Sequence, residues 1–346
     1  MRIEERIWRT PQQSYLRVLP GCLGVSARGK SRRLQRVLSD FGAEHSFAQG
    51  CARLQEHYGF SLNASAGRTV TLIHAQRAAQ TLAAEYEGSF RQLPAQGAPT
   101  VVAEADGTMI CTVEPGQPRH GPRPRQWQEM RLLAAQAQGS TETSYAATFD
   151  DVDAAGQRWG HCTRDAGWGL NSRIHIVADG AEWIARQSRD VFGGQATLLT
   201  DFYHVSEYLA AASGTCRPSS PDSWLRTQQK RLKRGALPLL FEELEPHLEP
   251  PAQPEESAPV RAAYRYLDNR RDALDYADAL ARELPIGSGM IESGHKHVLQ
   301  ARLKKAGTTW LHSNADAIAQ LRILRANHRW DHFWTASTTI QVLHHN

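Results

Sequence analysis

The sequence predicts an α/β protein with one mixed sheet, preceded by a helical region and interrupted by a helical insertion. Three observations support this prediction. A β-branched, alternating run, TVVAEADGTMICTV, occupies residues 100–113 and is typical of a strand. Strand-like and helical segments then alternate up to residue 212, which is the order expected of an α/β domain. Residues 213–284 are charged and helical in pattern, so they separate two parts of the sheet domain.

Residues 1–95 are predicted to form a helical, helix-turn-helix-like DNA-binding region. Apolar residues recur at helical spacing in residues 31–41, and Ser46 is a suitable N-cap for a second helix. A third helix over residues 64–86 follows the turn FSLN, and two helices joined by such a turn resemble a helix-turn-helix. Arg68 lies near the start of this third helix, where base edges would be contacted. Simple core packing of the helices is the alternative.

Residues 96–212 are predicted to form the first part of the sheet domain. After the strand over residues 100–113, the chain shows two further strand-like runs, separated by turn residues at Gly139 and Ser140. A fourth strand, a helix, and a strand that runs directly into a helix complete this part. The five segments that follow the first strand are, in order, WQEMRLLAAQ, TSYAATF, LNSRIHIVADG, EWIARQSRDVF and QATLLTDFYHVSEYLAAA.

The helical insertion, residues 213–284, contains the acidic and proline-rich segment EELEPHLEPPAQPEES, which is predicted to be a loop. Residues 285–346 are predicted to return to the sheet domain as its C-terminal helices. They begin with PIGSGMIESGHKHVLQARLKKAG, which is rich in glycine at its start and basic further on. A last amphipathic helix is predicted from NADAIAQLRILRANHRW.

The composition excludes several classes of protein. The chain is 41% apolar, which is enough for one large domain or a few smaller ones, and its net charge is only +4. Residues 1–36 carry nine Arg or Lys against two Glu, which suits either a nucleic-acid-binding arm or a solvated tail. Five widely spaced cysteines without a C-x-x-C argue against a disulfide framework and a zinc ribbon. No apolar run approaches the ~18 residues of a membrane span, so a soluble, intracellular protein is expected.

Four acidic residues lie where strands meet loops or where glycines cluster. Asp106 and Asp179 each precede a glycine after a strand-like run, Asp201 closes a third strand, and Glu292 lies among glycines. Each has an ordinary alternative role, because Asp-Gly is common in turns, Asp201 is a suitable cap for the helix that carries His204, and an acid favours a helix N-terminus. As a set, carboxylates at neighbouring strand ends would repel each other unless a cation neutralised them.

Oxygen ligands without a cysteine cluster select a hard ion such as Mg²⁺ or Mn²⁺. Two such ions ~3.5–4 Å apart activate a water or a 3′-hydroxyl and stabilise the leaving oxygen of a phosphodiester. This chemistry requires carboxylates to hold the metals and basic groups to hold the nucleic-acid backbone. The pattern of acids and basic residues in this chain is consistent with both requirements.

Four segments that carry these acids occur together: ADGTMI, IVADGAEWI, LLTDFYHVSEYL and IGSGMIESGHKHVLQARLKKAGTTW. Together they resemble bacterial insertion-sequence transposases of the DDE type, in particular the ISKra-type family with its Mutator-like and ISL-type relatives. The resemblance extends from about residue 30 to residue 335. It implies an RNase H-like domain with an α-helical insertion before the last catalytic acid.

The resemblance assigns roles to the acids. In that fold the first catalytic Asp ends the first strand, the second ends the fourth, and a Glu comes from a helix after the insertion. Asp106, Asp179 and Glu292 match these positions and would hold two Mg²⁺ or Mn²⁺ ions. Asp201 and His204 match the D-x-x-H of Mutator-like relatives. Asp201 also ends a strand and is the alternative second acid, but Asp179 is preferred because four strand-like runs precede it.

The resemblance further implies DNA strand cleavage and strand transfer at insertion-sequence ends. The expected partners are double-stranded DNA, as terminal inverted repeats and target, and further copies of the chain in a homo-oligomer on DNA. The expected location is the bacterial cytoplasm, at the nucleoid, without a membrane. Five basic residues are predicted to contact DNA: Arg68, Lys296, Arg302, Lys304 and Lys305. The alternative for Lys296 is an ion pair with Glu292, and the alternative for Arg302, Lys304 and Lys305 is solvated surface charge.

Two other functions are compatible with the sequence. Related transposases have a longer N-terminal part, whereas about 105 residues precede Asp106 here. A truncated or inactive transposase-derived protein that only binds DNA, or regulates transposition, is therefore the main alternative. A metal-dependent nuclease of another lineage is the third hypothesis.

Overall fold

The computed structural model describes residues 29–116 and 124–335, together with residues 8, 9, 11, 15 and 16. The protein is α/β, with a mixed, open sheet of six strands and many helices. Two compact units are formed. The helical unit contains residues 1–85, 111–126 and 298–346, and the sheet unit contains residues 86–110 and 127–297. Among the described residues, no helix is long and apolar enough to cross a membrane.

The N-terminal helices follow the predicted pattern. Their caps are the predicted Ser46, which forms a capping box with Gln49, and Asn63, whose side chain accepts a 2.7 Å hydrogen bond from the backbone of Ala66. Leu38, Leu54 and Val70 form their shared core. Most of the basic arm predicted over residues 1–36 lies outside the described residues. The elements are β1 (Trp8–Arg9), β2 (Tyr15–Leu16), α1 (Arg32–Glu44), α2 (Phe47–Tyr58) and α3 (Ala64–Tyr86).

The sheet contains all of the strands predicted between residues 96 and 212. They alternate with helices as β3 (Thr100–Val113), β4 (Gln126–Ala137), β5 (Ser144–Thr148), α4 (Val152–Asp165), β6 (Arg173–Ala178), α5 (Glu182–Phe192), β7 (Ala196–Thr200) and α6 (Phe202–Cys216). The sequence patterns assign no helix to α4. Gly156 and Gly160 lower the helix propensity of this segment, so its helical character comes from packing against the sheet around Trp159.

The strand order of the sheet is β5-β4-β3-β6-β7. Strand β3 is parallel to β6, and β6 is parallel to β7. Strands β4 and β5 are antiparallel. Alternate residues of β3, namely Val101, Ala103 and Ala105, pack with Trp159 in the core on one face of the sheet. The intervening residues of β3 therefore point to the opposite face.

The predicted insertion is helical and packs around its own apolar core, which includes Trp224, Leu240, Val260 and Tyr276 together with Phe202 of α6. Its helices are α7 (Pro221–Lys233), α8 (Leu237–Leu244), α9 (Pro259–Asp268) and α10 (Tyr276–Ala281). The proline-rich segment is largely irregular, as predicted, although its first residues complete α8 and two short 3₁₀ turns interrupt it.

The C-terminal elements are α11 (Gly289–Gly294), a π-helical turn (His295–Gln300), α12 (Ala301–Leu303), β8 (Trp310–Leu311), α13 (His312–Ala326) and α14 (Trp330–Thr335). Strand β8 pairs with the end of β3 in the helical unit. Helix α13 is the helix predicted as amphipathic, but this prediction is wrong. Residues 317–324 are all buried, so α13 is enclosed by other elements on all sides.

Candidate active site

The register of three parallel strands brings the predicted aspartates together. Glu104 of β3 pairs with Val177 of β6, and carrying this register on by two residues places Asp106 beside Asp179. Ala178 pairs with Thr200 of β7, and the backbone N–H of Asp201 donates a 2.7 Å hydrogen bond to Ala178 O. Neighbouring strands lie about 4.8 Å apart. Continued in this way, the register would align the three aspartates in one row across β3, β6 and β7.

Asp106 does not end its strand, contrary to the prediction. Strand β3 continues through it to Val113, whereas Asp179 and Asp201 directly follow the last residues of β6 and β7. The backbone of Gly107 donates a 2.7 Å hydrogen bond to Oδ1 of Asp106. Asp-Gly is not a turn here, because β3 is longer than β6 and extends beyond it to pair with other strands.

A fourth acid, Glu104, lies on the same sheet face as Asp106, two residues earlier in β3. Its side chain is 1% exposed, and Oε2 accepts a 2.7 Å hydrogen bond from the backbone N–H of Ile291. The pKa of Glu104 is raised to about 8, mainly by burial and in smaller part by the nearby Asp201 and Glu292 carboxylates, while backbone hydrogen bonds oppose the shift. The sequence analysis missed Glu104, although the i, i+2 spacing of two acids in AEADG was a usable signal.

The segment before Glu292 is attached to this face of the sheet. Nε2 of the buried His175 donates a 2.8 Å hydrogen bond to Pro285 O, and the backbone of Phe202 donates to Ile286 O at 2.9 Å. The backbone N–H of Ser288 donates a 2.6 Å hydrogen bond to Oδ2 of Asp201, and its hydroxyl donates to the same oxygen. Helix α11 therefore begins at a defined place above β6 and β7.

The glycines around Glu292 allow close approach, as predicted, at two positions. A Cβ at Gly287 would lie 2.6 Å from the ring of Tyr203, and one at Gly294 would lie 2.8 Å from Tyr145 and 2.9 Å from Leu132. Gly289 has open space around its Cβ position. Glu292 itself is exposed in the first turn of α11, and its carboxylate lies close enough to Glu104 to contribute to the raised pKa of that residue.

His295 follows Glu292 by one helical turn and is in contact with Asp106. Its side chain is almost fully buried, and Nε2 lies 3.1 Å from Oδ2 of Asp106. The distance suits an ion pair, but the angles do not meet those of a hydrogen bond. The π-helical turn begins at His295. Such turns widen a helix locally and are frequent at functional sites.

The insertion holds the turn that contains Asp179. Tyr266 donates a hydroxyl hydrogen bond to Asp179 O, and Arg270 donates to Gly180 O at 2.9 Å. Oδ1 of Asp179 accepts a 2.9 Å hydrogen bond from the backbone of Ala181. Burial raises the pKa of Tyr266 well above its usual value, and the carboxylate of Asp179 contributes to this shift. Tyr266 therefore acts as a neutral hydrogen-bond donor.

Asp201 and His204 differ in their surroundings. Asp201 is 3% exposed, and its Oδ1 caps α6 by accepting from the backbones of Tyr203 and His204 at 2.6 Å and 3.0 Å. Both of its oxygens are therefore engaged, one by the cap and one by Ser288. The His204 ring lies 6.1 Å from the rings of both Tyr208 and Tyr266, and Nδ1 is 3.7 Å from Glu207.

The basic residues predicted to contact DNA fall into two groups. Arg68, Lys296 and Lys304 are exposed, and Lys305 is half-buried with Nζ donating to Glu44 O at 3.3 Å. Arg302 is 2% exposed and donates from Nε to Gly42 O. Arg302 is therefore not a solvated charge, because the guanidinium is enclosed by α1, α2 and β8; the predicted DNA contact of Arg302 stays a prediction.

The metal site predicted from the acids is not preassembled in the part of the chain that the structure describes. These residues include no group of three His, Cys, Asp or Glu side chains close enough to hold an ion. The three proposed ligands, Asp106, Asp179 and Glu292, are carboxylates, which suit a hard cation.

Comparison with known proteins assigns no family to the chain. No protein-family model matches it, and no curated protein matches it.

Proposed function

We propose that this chain is a DDE-type transposase with an RNase H-like sheet domain, which cleaves DNA strands at insertion-sequence ends and transfers them to target DNA. One observation supports this proposal above all others. Asp106 and Asp179 lie two residues beyond Glu104 and Val177, which pair with each other on adjacent parallel strands, and the segment that carries Glu292 is hydrogen-bonded to Glu104 and Asp201. These contacts link segments that are distant in the chain, as the proposal requires.

The residues that would hold two Mg²⁺ or Mn²⁺ ions are Asp106, Asp179 and Glu292. When bound, such ions supply Lewis acidity that lowers the pKa of a water or 3′-hydroxyl and stabilises the leaving oxygen of the phosphodiester. Asp179 is preferred to Asp201 as the second ligand, because both oxygens of Asp201 already accept hydrogen bonds from the protein. Asp201 is instead the residue that positions the start of α11.

The surrounding residues position the acids. Tyr266 and Arg270 hold the backbone of the turn at Asp179, which links the insertion directly to the site. His295 contacts the carboxylate of Asp106 at 3.1 Å and holds that side chain in place. Exposed Lys296 follows Glu292 by one helical turn and is available to a DNA phosphate. Double-stranded DNA, a homo-oligomer on DNA and a bacterial cytoplasmic location are part of this proposal.

The test is cleavage of a DNA duplex that carries the sequence flanking the gene, with Mg²⁺. Asp106→Asn and Glu292→Gln should each abolish cleavage while DNA binding, measured by gel shift, stays nearly unchanged. Glu256→Gln, at an exposed acid in the insertion, is the matched control and should cleave normally. If both site variants still cleaved, the proposed metal site would be refuted. Binding without cleavage by the unmodified chain would instead support the regulatory alternative.

A further inference from the structure

The helical unit contains a cavity that plays no part in the carboxylate site. Its volume is about 540 Å³, which is within the range of small-molecule sites. All of its walls come from the helical unit, at the start of α2, the first turns of α3, the end of β3 and the segment before α13. The wall residues used below are Ser46, Phe47, Arg68, Leu72, Arg302 and Trp310.

Arg302 is the most unusual residue of this wall. The side chain is 2% exposed, and its guanidinium carbon lies 4.8 Å from the ring centre of Phe47 and 4.6 Å from that of Trp310. Nε is satisfied by Gly42 O at 3.0 Å, but Nη2 is buried and has no hydrogen-bond partner among the described residues. A buried charged donor without a partner is costly, so an acceptor is expected when the cavity is occupied.

Positive charge is concentrated around Arg302. Burial and the neighbouring Arg322 lower the pKa of Arg302 to about 10, and burial followed by Arg302 and Arg322 lowers the pKa of Lys305. Glu44 opposes both shifts. Exposed Arg68 adds a second cation to the cavity wall, against the single charge of Glu114. The cations destabilise one another, which an anion in the cavity would relieve.

The rest of the wall suits a ligand with both a charged and a planar part. Ser46 caps the 12-residue helix α2, whose N-terminal end carries a partial positive charge. The unpartnered Nη2 of Arg302 supplies a charged donor that suits a phosphate oxygen. Phe47 and Trp310 contribute aromatic surface on which a base is able to stack.

We propose that this cavity binds a phosphate group, carried by a nucleic-acid strand or by a free nucleotide, with Arg302 and Arg68 as its cationic partners. The proposal goes beyond the function proposed above, because the cavity lies within the helical unit and uses none of the acids of the candidate active site. Arg302 thus contacts a phosphate from inside the protein, whereas the sequence suggested an exposed clamp.

The experiment measures binding by the full chain in EDTA, so that it is independent of metal-dependent cleavage. The probes are inorganic phosphate, dAMP and a short fluorescent single-stranded oligonucleotide, followed by calorimetry or fluorescence anisotropy. Arg68→Ala removes an exposed cation of the wall. Leu72→Glu adds a carboxylate one turn from Arg68, where it neutralises that cation. Arg33→Ala, at an exposed arginine that does not line the cavity, is the matched control.

We expect Arg68→Ala and Leu72→Glu each to weaken binding about tenfold or more, and Arg33→Ala to change it less than about twofold. Competition by dAMP against the oligonucleotide would identify a nucleotide site, and binding of the oligonucleotide alone would identify a strand site. Absence of binding by every probe at millimolar concentration would overturn the proposal. Equal weakening by all three variants would also overturn it, because only general surface charge would then be involved. Because binding is measured in EDTA, a protein that fails to cleave DNA with Mg²⁺ can still give either binding result. Failure of the proposed function is therefore distinguishable from failure of this proposal.

Discussion

The backbone N–H of Ile291 donates a 2.7 Å hydrogen bond to Oε2 of Glu104, a side chain that is 1% exposed. This bond joins the helix that carries Glu292 to the strand that carries Asp106, across 187 positions of sequence. Because burial raises the pKa of Glu104 to about 8, much of this carboxyl group is protonated near neutral pH. It therefore adds little negative charge to the row of aspartates beside it while still accepting the hydrogen bond.

Two substitutions of Glu104 should distinguish a role in positioning α11 from a chemical role of the carboxyl group. In Glu104→Ala the buried N–H of Ile291 loses its acceptor, which should destabilise the protein by about 1–3 kcal/mol and lower cleavage. Glu104→Gln keeps an acceptor oxygen and should retain most of the stability and most of the cleavage activity. Urea unfolding and the cleavage rate at saturating Mg²⁺ measure the two effects. If Gln impaired cleavage as severely as Ala did at equal stability, Glu104 would have a chemical role rather than a positioning role.

The two candidate second ligands should respond differently to the same substitution. Asp179→Asn keeps the oxygen that accepts from Ala181, so stability should change by less than about 0.5 kcal/mol while Mg²⁺-dependent cleavage is lost. Asp201→Asn places an amide against the N–H of Ser288 and should cost about 1–3 kcal/mol of stability. Chemical denaturation and metal titration distinguish the two. Full cleavage by Asp179→Asn would show that Asp179 is not a ligand.

The glycines of α11 provide a matched pair. A Cβ at Gly294 would lie 2.8 Å from Tyr145 and 2.9 Å from Leu132, so Gly294→Ala should cost about 1–3 kcal/mol by overpacking. Gly289 has free space at that position, and Gly289→Ala should be neutral or stabilising by up to about 1 kcal/mol. Thermal unfolding of both variants is the measurement. Equal stability of the two would contradict the packing of α11 against β4 and β5.

Acid should destabilise the helical unit through His74. This ring is buried, lies 4.5 Å from Trp334 and has Nε2 2.9 Å from Oε1 of Gln35. Burial, followed by Arg77 and Arg32, lowers the pKa of His74 to about 4 from 6.5. The folded state thus favours the neutral ring, and its contribution is present above pH 6.5 and lost as the pH falls toward 4.

The loss attributable to His74 is at most about 3 kcal/mol over this pH range. In His74→Gln the free energy of unfolding should fall less between pH 6.5 and pH 4 than in the unmodified protein. A smaller fall should remain, because other groups also take up protons in this range. Urea unfolding at several pH values gives the comparison. An unchanged slope in the variant would exclude His74 as a source of the acid sensitivity.

DNA affinity should fall steeply as salt rises, because binding to phosphates releases counterions. Lys296→Ala should reduce the slope of log K against log salt by about 0.9, as expected when the protein neutralises one phosphate fewer. Arg173→Ala removes an exposed cation at the start of β6, the end away from the acids, and should leave the slope unchanged. Gel-shift titrations over a range of salt concentrations test this. A salt-independent complex would contradict binding through the DNA backbone.

The sequence predicted the elements well where local pattern decides them. The alternation in residues 100–113 and the strand-to-helix change around Asp201 were both confirmed. Helix α4 was missed because Gly156 and Gly160 lower its helix propensity, and its packing comes from distant contacts. Helix α13 was predicted to be amphipathic, but its polar residues Gln320 and Arg322 are both buried in the folded protein.

For this protein, the sequence by itself determined which acids and which glycines were available, and in which kinds of element they lie, since those depend on periodicity and turn preference along a short stretch. Only the tertiary structure decided that Asp106 and Asp179 follow paired residues of adjacent strands, that Glu104 is buried against Ile291, and that Arg302 points inward. The physical reason is that strand register and burial depend on contacts between segments far apart in the chain. Local patterns do not contain those contacts.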